Sequence, residues 1–379
     1  MEEVIALVLA AGKGTRMKSK LPKVLHKAGG VPMVGQVLRA VKDAGTKREI
    51  VVVGFGAEAV TAYVGETAET VVQKEQLGTG HAVLQAESLL QGEKGILLVT
   101  CGDTPLVRTE TFRALLDCHK KTQASATVLT ACMPDPTGYG RVIRSADGKV
   151  SKIVEQKDGT SQELAVNEVN AGIYCFELPE LWELLHRIGN NNAQGEYYLT
   201  DIIGMLVADG KTVSAVAAED YRETLGVNSR LQLAQAEKIL RERKLEELMT
   251  EGVTVQDPSN TYVETTVTVG RDTVLYAGTV LEGRTVIGEN CEIGPFVRLT
   301  DVVMGDGNSL QYTYAHDCTI ENNLTAGPFV HFRPKTHIED HVKVGNFMEV
   351  KNSHIGEGTK LPHLSYIGDS DVGAGVNIG

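Results

Sequence analysis

From Val269 onward an apolar residue returns at every sixth position, at Val269, Leu275, Leu281, Ile287, Ile293 and Leu299. The beat slips in phase near residues 304–319 and resumes at Ile320, Ala326, Phe332, Ile338, Val344 and Val350. A second slip precedes Ile355, Leu361 and Ile367, and a third precedes Val372 and Ile378. Neither an α-helix, with its 3.6-residue repeat, nor an antiparallel sandwich, which alternates by two, keeps that register. A parallel β-helix does: with three short faces per coil and one inward aliphatic per face, each coil covers the apolar face of the next. The period predicts a solenoid over residues 251–379. A solenoid needs a cap at its exposed end, and Asn377-Ile378-Gly379 stands in mid-beat, so a C-terminally truncated chain is expected.

Residues 1–229 carry another pattern. Apolar runs at Val4–Leu9, Ile50–Val53, Ile96–Val99, Ala126–Leu129 and Gly172–Phe176 predict strands. Between the first two, Pro32–Ala44 places Val34, Val37, Leu38 and Val41 at i, i+3, i+4 and i+7, the spacing of one helix face. Such alternation indicates βαβ units and a mostly parallel sheet, and a length of 379 residues favours two domains. Residues 230–250 hold neither glycine nor proline and many strong helix formers, which predicts one long linker helix.

The formal charge of −12 argues against a nucleic-acid-binding surface, which needs a basic footprint. No run approaches the ~20 apolar residues that span a bilayer, and Met1-Glu2-Glu3 does not open a basic-then-apolar leader, so a cytoplasmic protein without membrane insertion is expected. The six cysteines form no C-x-x-C pair, which points to packed, reduced thiols.

The first strand runs into Gly12-Lys13-Gly14-Thr15-Arg16, with Lys23 close behind. Ligands of open α/β sheets sit beyond the carboxyl ends of the strands, where glycine admits phosphate oxygens to the backbone and Lys or Arg supplies countercharge. The spacing fits neither the P-loop nor the dinucleotide-binding turn, and a plain strand-to-loop turn is the alternative. Asp103, just after the strand Ile96–Val99, lies at the same edge; it could hold a divalent cation or cap the turn before Thr104-Pro105. For Asn228, spacing alone favours a helix cap. The ten histidines are not separated by spacing, and His337 with His341 lacks the helical context of a zinc pair, because Ile338 sits on the β-helix beat.

The string Leu9-Ala-Ala-Gly-Lys-Gly-Thr-Arg-Met17 with Pro22-Lys23 resembles the signature of sugar-1-phosphate nucleotidyltransferases. Gln73 to His81, Cys101-Gly-Asp103, Gly138-Tyr-Gly140-Arg, Val154 to Asp158, Glu168 to Gly172 and Gly226-Val-Asn228 follow in that family's order. Joined to Arg333-Pro334, Gly345-Asn-Phe347, Lys351 and His363-Leu-Ser-Tyr366, the whole chain is similar to the bacterial bifunctional N-acetylglucosamine-1-phosphate uridyltransferases and glucosamine-1-phosphate acetyltransferases. The resemblance implies a Rossmann-like α/β domain followed by a left-handed parallel β-helix.

It also implies that UTP and N-acetylglucosamine 1-phosphate give UDP-N-acetylglucosamine and pyrophosphate. Arg16 and Lys23 are then expected at the transferring phosphate and Lys13 nearer the pyrophosphate. Leu9, Ala10, Ala11, Gly12, Gln73, Gly78 and Thr79 are expected at uracil and ribose, and Gly140, Glu155 and Asn170 at the sugar. Asp103 and Asn228 would hold Mg²⁺. In the second half, acetyl-CoA would acetylate glucosamine 1-phosphate, with His363 as base, Arg333 and Lys351 at the phosphate, and Tyr366 and Asn377 at the sugar. Family cofactor-binding residues lie beyond residue 379, so acetyl transfer is expected to be impaired. Lys360-Leu-Pro362 departs from the small residues expected before the base. A homotrimer built on the β-helix is implied. The alternatives are a monofunctional sugar nucleotidyltransferase with a structural β-helix, and a binding or scaffold protein that keeps the fold without the reaction.

Overall fold

The computed structural model describes residues 3–379; Met1 and Glu2, which contribute to the expectation of no leader, lie outside the described residues. The chain forms two compact units, residues 3–28 with 32–236 and residues 29–31 with 237–379. A single helix, Arg230–Thr250, runs from the first into the second.

The first unit is built on a central sheet with strands β1 (Val4–Ala10), β2 (Arg48–Val53), β3 (Glu69–Val72), β4 (Ile96–Cys101), β5 (Ala126–Cys132), β6 (Glu168–Glu177) and β7 (Val213–Ala217). Their order is β7-β5-β6-β4-β1-β2-β3. All neighbours are parallel except β6, which runs antiparallel to both β4 and β5. The continuous apolar runs follow from burial on both faces: Ile5 and Leu7 enter one core while Val4, Ala6 and Val8 enter the other. Helix α1 (Met33–Asp43) buries the expected Val34, Val37, Leu38 and Val41, together with Met33. Strands β3 and β7 and the hairpin Arg141–Arg144 with Val150–Val154 were not expected from the apolar runs. The two edge strands are only partly buried, so their residues need not be uniformly apolar.

The second unit stacks parallel strands in which Leu281 lies over Leu299 and Leu275 over Ile293, 18 residues on. The beat residues from Leu275 to Leu361 form one continuous core. The first phase slip has a simple cause. Arg298–Met304 and Thr313–Ile320 are long strands that pair along two faces at once, and at their bends a coil takes five residues instead of six between inward positions. With Leu310 to Ala315 also five residues, Leu310 stacks on Ala326 only 16 residues away. Buried corner threonines satisfy themselves against the backbone: the Thr279 hydroxyl donates to the Ile293 carbonyl at 3.0 Å and that of Thr359 to Gly373 at 2.8 Å. No helix among the described residues is long and apolar enough to cross a membrane.

Candidate functional site

Strands β1 and β4 are neighbours, with Leu9 opposite Cys101, so their carboxyl ends leave the sheet side by side. Beyond them lies a cavity of about 260 Å³. Leu9, Ala10, Ala11, Gly12, Lys23, Gln73, Gly78, Thr79 and Asp103 line it, joined by Val24, Gln76, Ala82, Cys101 and Glu196. A Cβ on Gly12 would meet nothing within 4 Å, so its missing side chain leaves the cavity open. Gly14 serves a different purpose. It holds φ +56°, and a Cβ there would come 2.6 Å from Lys23 Cβ, so glycine lets the Lys23 stem pass behind the turn.

Lys23 begins a short turn behind Pro22 and reaches back to the sheet edge. Its ammonium donates to Asp103 Oδ2 and, at 2.7 Å, to Asn228 Oδ1. The Lys23 and Asp103 side chains are only 12% and 16% exposed, which weakens solvent screening of the pair. The capping alternatives do not describe the two oxygens. At the start of the long helix it is the Ser229 hydroxyl that accepts the Gln232 N–H, at 3.2 Å, while the Asn228 side chain turns to Lys23. Val227 N–H donates to the Asp103 carbonyl at 2.8 Å, which ties the segment before that helix to the end of β4.

Gly140, Glu155 and Asn170 meet next to β6. Asn170 N–H donates to the Gly140 carbonyl at 2.9 Å, and a Cβ on Gly140 would lie 3.5 Å from both Glu155 carboxylate oxygens. Burial holds the Glu155 carboxyl above its usual range, against the Thr200 hydroxyl that donates to it at 3.1 Å; Asp158, Asp201 and Glu196 push the same way as burial. The Asn170 amide donates to the Tyr174 hydroxyl at 2.6 Å, across a bulge where Gly172 takes φ +72°.

Arg16 and Lys13 stand apart. Gly14 and Lys18, both left-handed, bracket a single turn whose Met17 is buried, and this leaves Arg16 exposed. Neither side chain lines the cavity.

In the second unit Phe332, Val350 and Ile367 stack in register, which puts Arg333 and Lys351 on successive coils. Arg333 donates to Glu349 at 2.8 Å, Lys351 faces Asp369 at 3.7 Å, and Tyr366 is the strand partner of Glu349. His363 is exposed at the end of Lys360–His363, the strand that leads into the Tyr366 strand. Asn377 pairs with Lys360, at the opposite end of that strand from His363.

The nucleotidyl transferase family model matches residues 5–238, and the bacterial transferase hexapeptide (six repeats) model matches residues 266–301. The chain is 54% identical over 374 residues to the bifunctional protein GlmU of Geobacillus sp. (strain WCH70), which covers 99% of this chain and 82% of that protein. The protein of the same name from Geobacillus thermodenitrificans (strain NG80-2) is 52% identical over the same shares. That from Pelotomaculum thermopropionicum is 52% identical over 377 residues, all of this chain and 82% of the relative.

Proposed function

The chain belongs to the nucleotidyl transferase family and, within it, to the bifunctional GlmU proteins, and from that premise we propose that its first unit makes UDP-N-acetylglucosamine and pyrophosphate from UTP and N-acetylglucosamine 1-phosphate. The observation that carries the reading is the convergence of Lys23, Asp103 and Asn228 at the mouth of a glycine-bordered cavity on the carboxyl edge of β1 and β4.

A phosphate oxygen of the sugar phosphate attacks the α-phosphorus of UTP, a new P–O bond forms, and the bond to the β-phosphate oxygen breaks with its electrons leaving on pyrophosphate. Both reactants are anions, so alignment and charge neutralisation dominate the barrier. Lys23 supplies its ammonium to the transferring phosphate, and Arg16, from the exposed turn that follows β1, joins it with Lys13 nearer the leaving pyrophosphate. Backbone groups of Leu9 to Gly12, with Gln73, Gly78 and Thr79, hold uracil and ribose. Gly140, Glu155 and Asn170 hold the sugar, where the glycine leaves room beside the carboxylate.

The pair Asp103 and Asn228 suits Mg²⁺. Both present oxygens, the donors this hard cation takes, and both already point at one cationic group. Bound there, Mg²⁺ supplies additional neutralisation of phosphate charge.

For the second unit we infer acetyl transfer from acetyl-CoA to glucosamine 1-phosphate. His363 takes the proton that the substrate ammonium has to lose; the freed nitrogen attacks the thioester carbonyl, the new C–N bond forms as the C–S bond breaks, and CoA leaves as its thiolate. Arg333 and Lys351 grip the phosphate, with Tyr366 and Asn377 at the sugar. A homotrimer is part of this reading. It is supported by an exposed ridge of Phe296, Tyr312, Phe329, Phe347 and Leu364 along the solenoid.

Pyrophosphate release measured with each of the four nucleoside triphosphates and N-acetylglucosamine 1-phosphate tests the first reaction. UTP is expected to outpace the others by about 10²-fold or more. Equal rates with all four, or faster turnover with another triphosphate or glucose 1-phosphate, would favour the monofunctional alternative.

A further inference from the structure

Gln73 is 3% exposed and lies directly after β3, held there by its own N–H donating to the Val53 carbonyl at 2.8 Å. Its side-chain nitrogen lies 3.2 Å from the Gly78 carbonyl oxygen and 3.0 Å from His81 Nδ1. A carbonyl oxygen can only accept, so the Gly78 contact requires the amino end of the amide at that position. The second amide hydrogen is then directed at Nδ1, which accepts, and the imidazole proton belongs on Nε2. Gln85 competes for the opposite tautomer, because its amide nitrogen stands 3.2 Å from His81 Nε2 as well as 2.9 Å from the His81 carbonyl oxygen. The contest is unequal. Gln85 is only half-buried and can turn one hydrogen to water, whereas a Gln73 donor without an acceptor would be sealed in the protein.

With both hydrogens committed, Oε1 is the group that Gln73 can offer to a ligand in the cavity it lines. Uracil presents an N3–H donor, whereas cytosine presents an unprotonated N3 that can only accept. We propose that His81 is a positioning residue for base selectivity: with Gly78 it locks the Gln73 amide oxygen-outward, so that the site accepts from uracil N3–H and meets cytosine acceptor to acceptor. This rests on uridylyl transfer with the base beside Gln73. Turning the amide round for cytosine breaks two hydrogen bonds while His81 is present and one when it is not.

The test compares kcat/KM for UTP and for CTP, with N-acetylglucosamine 1-phosphate, in the unaltered protein, His81→Leu and His81→Asn. Asparagine places an amide oxygen where Nδ1 stood and restores the acceptor. The UTP-to-CTP ratio is expected to fall about tenfold in His81→Leu, the worth of one hydrogen bond, and to stay within about threefold of the unaltered value in His81→Asn. Equal losses for both nucleotides in His81→Leu, or His81→Asn as damaged as His81→Leu, would overturn the proposal and leave uridylyl transfer standing. If the unaltered protein shows no preference for UTP, or Gln73→Ala leaves the ratio intact, the uracil site itself fails and the proposal with it. Should His81→Leu not fold, the ¹⁵N shifts of His81 in the unaltered protein decide: protonated Nε2 with bare Nδ1 supports the lock, and protonated Nδ1 refutes it.

Discussion

Replacing Lys23 with alanine separates two consequences that one ammonium produces. Lys23 neutralises Asp103 and donates to Asn228, with both ends of the ion pair largely shielded from water. Two hydrogen bonds from a charged donor are worth roughly 1.5–3 kcal/mol each. Their loss leaves the Asp103 carboxylate without its countercharge, so about 3 kcal/mol of destabilisation is expected, within the range for breaking a shielded ion pair. For a unit of this size that lowers the first calorimetric transition by roughly 6–12 °C. Magnesium should then behave in an informative way. In the unaltered protein the cation competes with an ammonium already seated on the two oxygens; in Lys23→Ala it does not. Mg²⁺ should raise the melting temperature of the variant more than that of the parent, recovering about 2.7 kcal/mol at a hundredfold excess over its dissociation constant. Uridylyl transfer should stay depressed by about 10²-fold or more at every Mg²⁺ concentration, because the metal restores charge balance at Asp103 but not the lysine's contact with the transferring phosphate. A variant that melts within a degree of the parent, or gains no more than the parent from Mg²⁺, would refute the reasoning.

Glu155→Gln should stabilise the protein at neutral pH, since burial disfavours the native charge, yet raise KM for N-acetylglucosamine 1-phosphate about tenfold by removing a charged acceptor; parallel melting and kinetics check both. His119 is 1% exposed, its ring paired with Thr127 at 2.9 Å and Glu177 at 3.2 Å, and burial, with Lys120 adding to it, lowers its pKa from 6.5 to about 4. The unfolded chain therefore takes up the proton first, so about 3 kcal/mol of stability present above pH 6.5 is lost as pH falls towards 4; pH-dependent unfolding of the parent against His119→Gln measures the difference. Gly345→Ala puts a Cβ 1.7 Å from the Pro362 carbonyl oxygen on the next coil, and forcing those coils apart should cost the solenoid about 3 kcal/mol or more, read as a lowered second transition.

The histidine and glycine effects show why parts of the molecule were hidden from inspection of the chain. Nothing local marks His119 as buried, and nothing local tells that Gly345 faces a carbonyl oxygen one coil away. Edge strands such as Glu69–Val72 and Val213–Ala217 were equally silent, because a strand wetted on one side does not have to be apolar. Arg16 shows the converse. Motif resemblance sets it beside Lys23, while the left-handed Gly14 and Lys18 turn it outward.

What the chain order determines unaided is whatever repeats within a few residues: the six-residue beat that makes a solenoid, the apolar runs that make doubly covered strands, and the i, i+3, i+4 face of Met33–Asp43. Those patterns are legible because each coil, strand or helix turn meets the same surroundings as the last. The cation-facing oxygens obey no such repetition. Lys23 and Asp103 are 80 residues apart and Lys23 and Asn228 are 205, and only the parallel pairing of β1 with β4, with the Val227 amide bound to the Asp103 carbonyl, closes those separations to hydrogen-bonding distance.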